Sequence, residues 1–167
     1  MSYLFIDSGV ATMGLNIFES DRRHVKSKYI STPANWSLQD RIEKIYREIE
    51  EFIKNEFIEL IVFEQYDFRD DTTGKSKKGQ NTKLVNGVIA GLSLAHCIPW
   101  ERMKYSEWTP IWGRIKLFST IPVIPDEIKD NNHVYESYKM GYSFLTRKGG
   151  EKQHDKQRKF NESKRGN

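Results

Sequence analysis

Hydrophobic and polar positions in the first part of the chain predict three consecutive strands. Residues 3–6 (YLFI) form a short apolar run, and a second apolar run follows at residues 15–18. Residues 24–31 (HVKSKYIS) have alternating character. Short runs of this kind, separated by turn residues, predict an antiparallel meander at the start of the fold.

The next segment has the periodicity of an amphipathic helix. Its apolar positions recur every three or four residues between Leu38 and Ile53, with charged residues on the opposite face. Ser37 precedes the first apolar position, and Asp40 stands three residues later, as in a capping box. We therefore predict a helix that begins after Ser37 and packs its apolar face on a sheet.

Residues 58–64 (IELIVFE) form a nearly continuous apolar run that ends in a carboxylate. A strand that is apolar on both faces belongs in the middle of a covered sheet. The long helix before it supplies the crossover that a pair of parallel strands requires. The pattern therefore predicts that this strand lies parallel to the first one, with its end beside the end of that strand.

The second half of the chain contains shorter predicted elements. Residues 82–96 have a helical apolar stripe, and Gly87 and Gly91 lie one turn apart, which favours close packing of this helix on the sheet. Residues 98–103 predict a fifth strand, and residues 106–108 a short helical turn that ends before Gly113. A last helix is predicted from Asn131 or Asn132 to about residue 145.

The composition is that of an ordinary globular protein. A length of 167 residues favours one domain with a sizeable core. No stretch approaches the roughly 20 apolar residues that cross a bilayer, so we expect no membrane contact. The first residues do not resemble a secretory signal, and Cys97 is the only cysteine, which excludes an intramolecular disulfide. We therefore expect a cytoplasmic protein.

Positive charge is concentrated in two segments. Residues 147–167 contain eight Lys or Arg and three Asp or Glu, whereas residues 1–146 are close to neutral. A second basic stretch lies between residues 69 and 83. We divide the chain into a globular domain at 1–146 and a basic C-terminal tail at 147–167, which we expect to be flexible. Two such segments suit a polyanion such as nucleic acid, although solubility alone also explains them.

Asp7 is the first candidate functional residue. It ends the first apolar run and is followed by Ser8, Gly9 and Gly14. Burying an unpaired carboxylate is costly, so Asp7 belongs at the mouth of the sheet. It is either a turn residue that bonds its own backbone or a ligand for a metal ion or phosphate. Glu64, at the end of the parallel neighbouring strand, favours a ligand site at this sheet edge.

The last predicted helix adds two candidate ligands. His133 and Glu136 are three residues apart and therefore lie on the same face of the helix. Carboxylates with one imidazole suit Mg²⁺ or Mn²⁺ better than zinc. Such a set can hold two divalent ions and catalyse phosphodiester cleavage.

Four segments together resemble the RuvC-type Holliday-junction resolvases of the ribonuclease-H-like superfamily, in particular their compact bacteriophage members. The segments are FIDSGVATMGLNIFE, IVFEQYDF, GVIAGLSLAHCIPWERMKYSEW and HVYESYKMGYSFL, in the family's order over residues 3–145. The resemblance implies an α/β, ribonuclease-H-like fold with a five-stranded mixed sheet flanked by helices on both faces. It also implies a homodimer that cleaves four-way DNA junctions with Mg²⁺.

By position, the resemblance implies catalytic roles for Asp7, Glu64, His133 and Glu136. Asp7, Glu64 and Glu136 are the implied ligands of two Mg²⁺ ions, which Mn²⁺ can replace. His133 is implied as a weak ligand or as the group that orients the attacking water. An alternative register pairs Asp130 with His133 and makes Asp130 a metal ligand. The apolar stripe that follows Glu136 favours the first register.

The resemblance also implies DNA contacts. Such enzymes often place a Phe three residues after the second carboxylate, where this chain has Asp67, so we expect Tyr66 or Phe68 to stack on an unpaired base. Arg114 and Lys116 take the place of a backbone-contacting lysine. The remaining predicted phosphate contacts are Lys75, Lys77, Lys78 and Lys83.

Two other functions fit part of the sequence. A non-catalytic branched-DNA-binding module of the same fold is possible if the His/Glu pair marks a weakened metal site. An ATP-binding phosphotransfer lobe is suggested by the glycine turn after Asp7, but such folds need two lobes and 167 residues supply one. The leading interpretation is a metal-dependent endonuclease that cleaves branched DNA.

Overall fold

The computed structural model describes the backbone of residues 1–65, 76–118 and 124–165, and the side chains of residues 1–65, 81–117 and 124–149. A five-stranded sheet forms the centre of this described part of the chain. Its strands are β1 (Ser2–Asp7), β2 (Thr12–Glu19), β3 (His24–Ser31), β4 (Ile58–Gln65) and β5 (Trp100–Lys104).

The sheet is mixed, and its spatial order is β3-β2-β1-β4-β5. The first three strands form an antiparallel meander, whereas β4 runs parallel to β1 and β5 runs parallel to β4. The predictions of the meander, of the parallel crossover and of a fifth strand are therefore confirmed. Because β1 and β4 point the same way, their carboxyl ends lie at one edge of the sheet.

The helices pack on both faces of this sheet. They are α1 (Leu38–Ile53), α2 (Ser76–Ala95), α3 (Tyr105–Phe118), α4 (Asp126–Lys129) and α5 (Asn132–Arg165). At the start of α1, the Ser37 hydroxyl accepts a hydrogen bond from the backbone N–H of Asp40, as the capping box predicts. None of the described helices is both long enough and apolar enough to span a bilayer.

Alternation along the central strands divides the hydrophobic core into two layers. Leu4 and Ile6 point to the face covered by α1 and α2, where they pack with Ile49 and Ile89. Phe5 points to the opposite face, which is covered by α3, α4 and α5. The fold is therefore a three-layer α/β sandwich, as the resemblance implied.

Helix α5 lies directly on β1 and β2. At Gly141, an added Cβ would lie 2.7 Å from the ring of Phe5, so the helix approaches the sheet more closely than a larger residue allows. Near its start, the buried amide of Asn16 on β2 donates hydrogen bonds to the Val134 carbonyl at 2.8 Å and to the Ser137 hydroxyl at 2.7 Å. These contacts fix the first turns of α5 relative to the sheet edge that carries Asp7.

Two predicted helix ends are wrong. Helix α3 does not end before Gly113 but continues through Pro110 and Gly113 to Phe118. Helix α5 does not end near residue 145 but continues to Arg165, so the segment predicted as a flexible tail has a helical backbone. The apolar stripe marks only the packed part of α5, whereas the residues beyond it include many Lys, Glu and Gln, which extend helices without packing.

The predicted role of Gly87 and Gly91 is also wrong. A Cβ added at either position would meet no atom of the described part of the chain within 4 Å, so these glycines face away from the sheet. The residues of α2 that pack on the sheet are Val85, Ile89 and Leu92. Of the predicted stripe, Leu92 therefore packs on the sheet, whereas Leu84 and Ala95 are exposed.

Candidate active site

Two carboxylates meet at the edge of the sheet where β1 and β4 end. Asp7 is the last residue of β1, and its side chain is largely buried, with 12% of its surface exposed. Glu64 lies next to the end of β4, one residue after Phe63, which pairs with Ile6 of β1. The sequence prediction that Asp7 and Glu64 emerge side by side is confirmed.

The start of α5 brings His133 to the same place. Gly14 pairs with Asp7 across the β1–β2 hairpin. A Cβ added to Gly14 would lie 2.1 Å from the backbone oxygen of His133, which is an impossible contact. Gly14 is therefore needed for the approach of α5 and not only for the turn. The spacing of Asp7 and Gly14 hinted at a turn, but it did not reveal this contact.

Each ring nitrogen of His133 forms a hydrogen bond with another side chain. Nδ1 lies 2.7 Å from Oδ2 of Asp7, and Nε2 lies 2.6 Å from Oγ1 of Thr12. An ionised carboxylate only accepts hydrogen bonds, so Nδ1 carries the hydrogen and donates it to Asp7. In the neutral ring, Nε2 is then the acceptor, and the Thr12 hydroxyl donates to it. Thr12 was not predicted as a site residue, because a threonine at the start of a strand is unremarkable in sequence.

Glu136 lies one turn further along α5 and has a cationic partner of its own. The Lys139 ammonium donates to Oε1 of Glu136 at 2.6 Å. The other oxygen, Oε2, is buried and has no hydrogen-bond partner among the residues that the structure describes. Helical spacing alone allows a contact between these residues, but the sequence analysis did not identify it. The free oxygen matters because buried acceptors are normally paired.

The electrostatics of Glu64 show that the acidic groups form one cluster. Burial, followed by the charge of Asp7, a hydrogen bond with Asp7 and the charge of Glu136, raises the pKa of Glu64 from 4.5 to about 8. His133 acts in the opposite direction. Glu64 is therefore protonated at neutral pH in the protein without a cation, because three carboxylates compete for too little positive charge.

His133 responds to the same cluster. Its hydrogen bond to Asp7 raises its pKa above the ordinary value of 6.5, and the charges of Asp7, Glu136 and Glu64 act in the same direction. Burial opposes this shift. The hydrogen bond to Asp7 and the surrounding carboxylates therefore favour the cationic form of the imidazole.

Asn86 connects the two strand ends from the side of α2. Its Oδ1 accepts a hydrogen bond from the Ser8 hydroxyl at 2.5 Å, and its Nδ2 donates to the backbone oxygen of Glu64 at 3.2 Å. The amide thus links the residue after Asp7 to the backbone that carries Glu64. Sequence reasoning missed Asn86, because a single Asn inside a helical stripe gives no signal.

The donor set fits a hard divalent cation. Carboxylate oxygens are the ligands that Mg²⁺ and Mn²⁺ prefer, and the raised pKa of Glu64 and the unpaired Oε2 of Glu136 both indicate missing positive charge. Within the described residues, however, no three His, Cys, Asp or Glu side chains are arranged to enclose an ion. His133 and Lys139 instead occupy one oxygen each of Asp7 and Glu136.

The other predicted site residues are placed differently. Asp130 ends α4 and is exposed, and the charged groups that shift the pKa of Glu64 are Asp7, Glu136 and His133, which favours the first register. Lys83, Arg114 and Lys116 are exposed on α2 and α3. The remaining predicted DNA contacts lie outside the described residues or side chains: Tyr66, Phe68, Lys75, Lys77 and Lys78.

No family model and no curated protein matches the sequence. Solved structures do match the fold. Thermus thermophilus RuvC in complex with a Holliday junction substrate has a TM-score of 0.68 and 14% identity, over 89% of this chain and 96% of that chain. The fowlpox virus Holliday junction resolvase has a TM-score of 0.53 and 10% identity, over 87% of this chain and 98% of that chain. The chain therefore has the ribonuclease-H-like fold of the RuvC-type Holliday-junction resolvases.

Proposed function

We propose that this protein is a structure-selective endonuclease that cleaves branched DNA, including four-way junctions, by metal-dependent hydrolysis of a phosphodiester. The observation that carries the proposal is the cluster at the sheet edge. Asp7 and Glu64 end neighbouring parallel strands, and α5 adds His133 and Glu136 to the same cluster. Thermus thermophilus RuvC, which has this fold, is seen with a Holliday junction substrate.

Asp7, Glu64 and Oε2 of Glu136 are the proposed metal ligands. A bound Mg²⁺ or Mn²⁺ would neutralise the charge that develops on the phosphate and on the leaving oxygen. The cluster binds this cation because it lacks positive charge without it, as the raised pKa of Glu64 indicates. The buried position of Asp7 excludes much of the competing water and strengthens its interaction with a cation.

We propose that His133 acts as the general base that activates the attacking water. In the neutral ring, Nε2 carries the lone pair, since Nδ1 donates to Asp7. The Thr12 hydroxyl donates to this lone pair in the structure, so it would first have to rotate away and give its place to the water, whose proton Nε2 would then take. The water oxygen forms the new bond to phosphorus, the bond from phosphorus to the leaving oxygen breaks, and that oxygen is protonated from solvent. The contact between Thr12 and Nε2 orients the ring before this exchange.

The proposed phosphate contacts lie on exposed basic residues. Lys83 on α2, and Arg114 and Lys116 on α3, are the proposed contacts within the described side chains. Each phosphate contact releases counterions, so DNA binding should weaken steeply as the salt concentration rises. Changing both Arg114 and Lys116 to Gln should reduce the slope of log affinity against log salt by about two.

A homodimer is the proposed assembly, because two active sites are needed to cut two strands of a junction. The face of α2 that points away from the sheet is the proposed interface. Leu84 and Leu94 on it are 47% and 72% exposed, and Gly87 and Gly91 leave open space between them. An apolar stripe exposed in this way suits a second copy of the same helix.

Light scattering tests this assembly. We expect light scattering to give the mass of a dimer for the wild type and of a monomer for Leu94→Lys. The reason is that a charge within an apolar contact is costly to desolvate. Leu117→Lys, which changes a leucine of similar exposure on α3, should leave the dimer intact. A wild type that is monomeric at all concentrations would refute the proposed dimer.

A cleavage assay tests the proposed activity. A labelled synthetic four-way junction and a linear duplex of the same sequence are incubated with the protein in Mg²⁺, in Mn²⁺ and in EDTA. We expect nicks in the junction only, with either metal ion and not in EDTA. Binding of the junction without any cleavage would support the alternative, which is a non-catalytic branched-DNA-binding module of this fold.

A further inference from the structure

Lys139 is an unusual neighbour for a metal-binding carboxylate. Its side chain is only 14% exposed, although lysines are almost never buried unless they are paired. Its ammonium lies 2.6 Å from Oε1 of Glu136, so the carboxylate already has a cation on one of its two oxygens.

Aromatic rings hold this ammonium in place. Nζ of Lys139 lies 4.6 Å from the ring centre of Tyr135 and 5.5 Å from that of Trp108. Trp108 is almost fully buried, and it comes from α3 and not from the helix that carries Lys139. Aromatic faces attract cations, and the attraction is stronger where water is excluded. The surroundings of Lys139 therefore favour a fixed positive charge beside Glu136.

The charges of the site balance with one divalent ion. With His133 in the neutral form that its role as a base requires, Asp7, Glu64 and Glu136 contribute three negative charges when they are ionised, and Lys139 returns one positive charge. The remaining charge of minus two is the charge that a single Mg²⁺ or Mn²⁺ neutralises. A second divalent ion would have to bind Glu136 against the ammonium at 2.6 Å, and like charges repel strongly in a poorly hydrated site.

We propose that Lys139 takes the place of a second metal ion, so that this site holds one divalent cation together with one ammonium group. The inference rests on the proposed metal-dependent function, and it changes the expectation of two ions from the sequence. Oε2 of Glu136 would be the oxygen available to the single ion, while Oε1 remains with Lys139.

Titration of the full-length protein with Mn²⁺ tests this directly. Isothermal calorimetry, with electron paramagnetic resonance to count free Mn²⁺, measures the number of ions bound per chain. We expect one ion for the wild type and two for Lys139→Met, because removal of the ammonium frees Oε1 and restores a negative charge. Lys139→Arg keeps the positive charge and should still bind one ion.

Lys129 provides a matched control. It forms an ion pair with Asp126 at the same helical spacing, but both residues are exposed and lie on α4. Lys129→Met should therefore bind one ion with the affinity of the wild type. Glu136→Gln should also bind one ion, with an affinity at least tenfold lower, because it loses only part of the shell around that ion.

The outcomes separate this inference from the function on which it rests. Two ions bound to the wild type, with one lost in Glu136→Gln, would overturn the role of Lys139 while cleavage of the junction is unaffected. One ion in a folded Lys139→Met, as judged by circular dichroism, would overturn it as well. If Lys139→Met does not fold, the number of Mn²⁺ ions bound to the wild type decides between one and two metal ions in the site. A wild type that neither binds Mn²⁺ nor cleaves DNA would refute both proposals.

Discussion

The cluster at the sheet edge should make the metal-free protein less stable at high pH, and Glu64→Gln should remove this weakness. The unfolded chain releases the Glu64 proton near pH 4.5, whereas the folded, metal-free protein keeps it up to about pH 8. The folded state therefore binds more protons between these values. The contribution of Glu64 to the free energy of unfolding is therefore largest below pH 4.5. This contribution is lost as the pH rises to about 8.

The magnitude follows from the size of the shift. A pKa that moves from 4.5 to about 8 corresponds at most to a free energy on the order of 5 kcal/mol. Partial contact with water and the coupling of Glu64 to its charged neighbours reduce this value. We therefore expect the free energy of unfolding of Glu64→Gln to exceed that of the wild type by about 2–3 kcal/mol at about pH 9. For a protein of this size, the corresponding rise in melting temperature is roughly 5–10 °C.

Thermal denaturation in EDTA, followed by circular dichroism at about pH 5 and about pH 9, measures this effect. Gln resembles a protonated Glu in shape, so the wild type and the variant should melt at similar temperatures at the lower pH. Glu51→Gln, which changes an exposed glutamate on α1, is the matched control and should not differ from the wild type at either pH.

The same variant should lose the response to metal. Mg²⁺ should raise the melting temperature of the wild type at about pH 9, because ligands that bind only the folded state stabilise it. Glu64→Gln should show little of this rise. A variant that melts at or below the wild-type temperature in EDTA at the higher pH would refute the electrostatic reasoning.

Three further substitutions test individual parts of the site. Asp7→Asn should abolish cleavage of the four-way junction while leaving its binding constant within about threefold, and full cleavage in Mg²⁺ would exclude Asp7 as a ligand. Thr12→Val should lower kcat at least tenfold with little change in KM, because the His133 ring loses the contact that orients it, whereas Thr12→Ser should retain activity. Gly14→Ala should destabilise the fold by several kcal/mol, because its Cβ would meet the backbone of His133. Gly113→Ala, on an open side of α3, should stabilise it by up to about 1 kcal/mol in the same denaturant titration.

The strand ends of the site were predictable from sequence, because they follow from local patterns and one topological rule. An apolar run that ends in a carboxylate locates Asp7 and Glu64, and a crossover helix requires their strands to run parallel. Helical spacing places His133 and Glu136 on one face, but it does not show that this face meets Asp7. The structure supplies that contact through Gly14.

The partners of these residues were not predictable in the same way. Thr12 and His133 are separated by 121 residues, so their contact depends on how α5 docks on β2. Helical spacing allows Lys139 several partners. The ring of Trp108, which comes from another helix, lies beside the ammonium where it contacts Glu136. The predicted end of α5 was wrong for a related reason. The apolar packing of this helix stops at Leu145, whereas the polar residues beyond it still support a helix.

The buried amide of Asn16 has a consequence for the order in which the candidate active site is completed during synthesis. Its partners at Val134 and Ser137 lie about 120 residues further along the chain. A nascent chain that has left the ribosome only through β5 already carries Asp7 and Glu64, but it lacks the helix that brings His133 and Glu136. Asn16 then has no partner for its amide hydrogens except water. The last helix therefore supplies the partners of Asn16 and completes the candidate active site in one step.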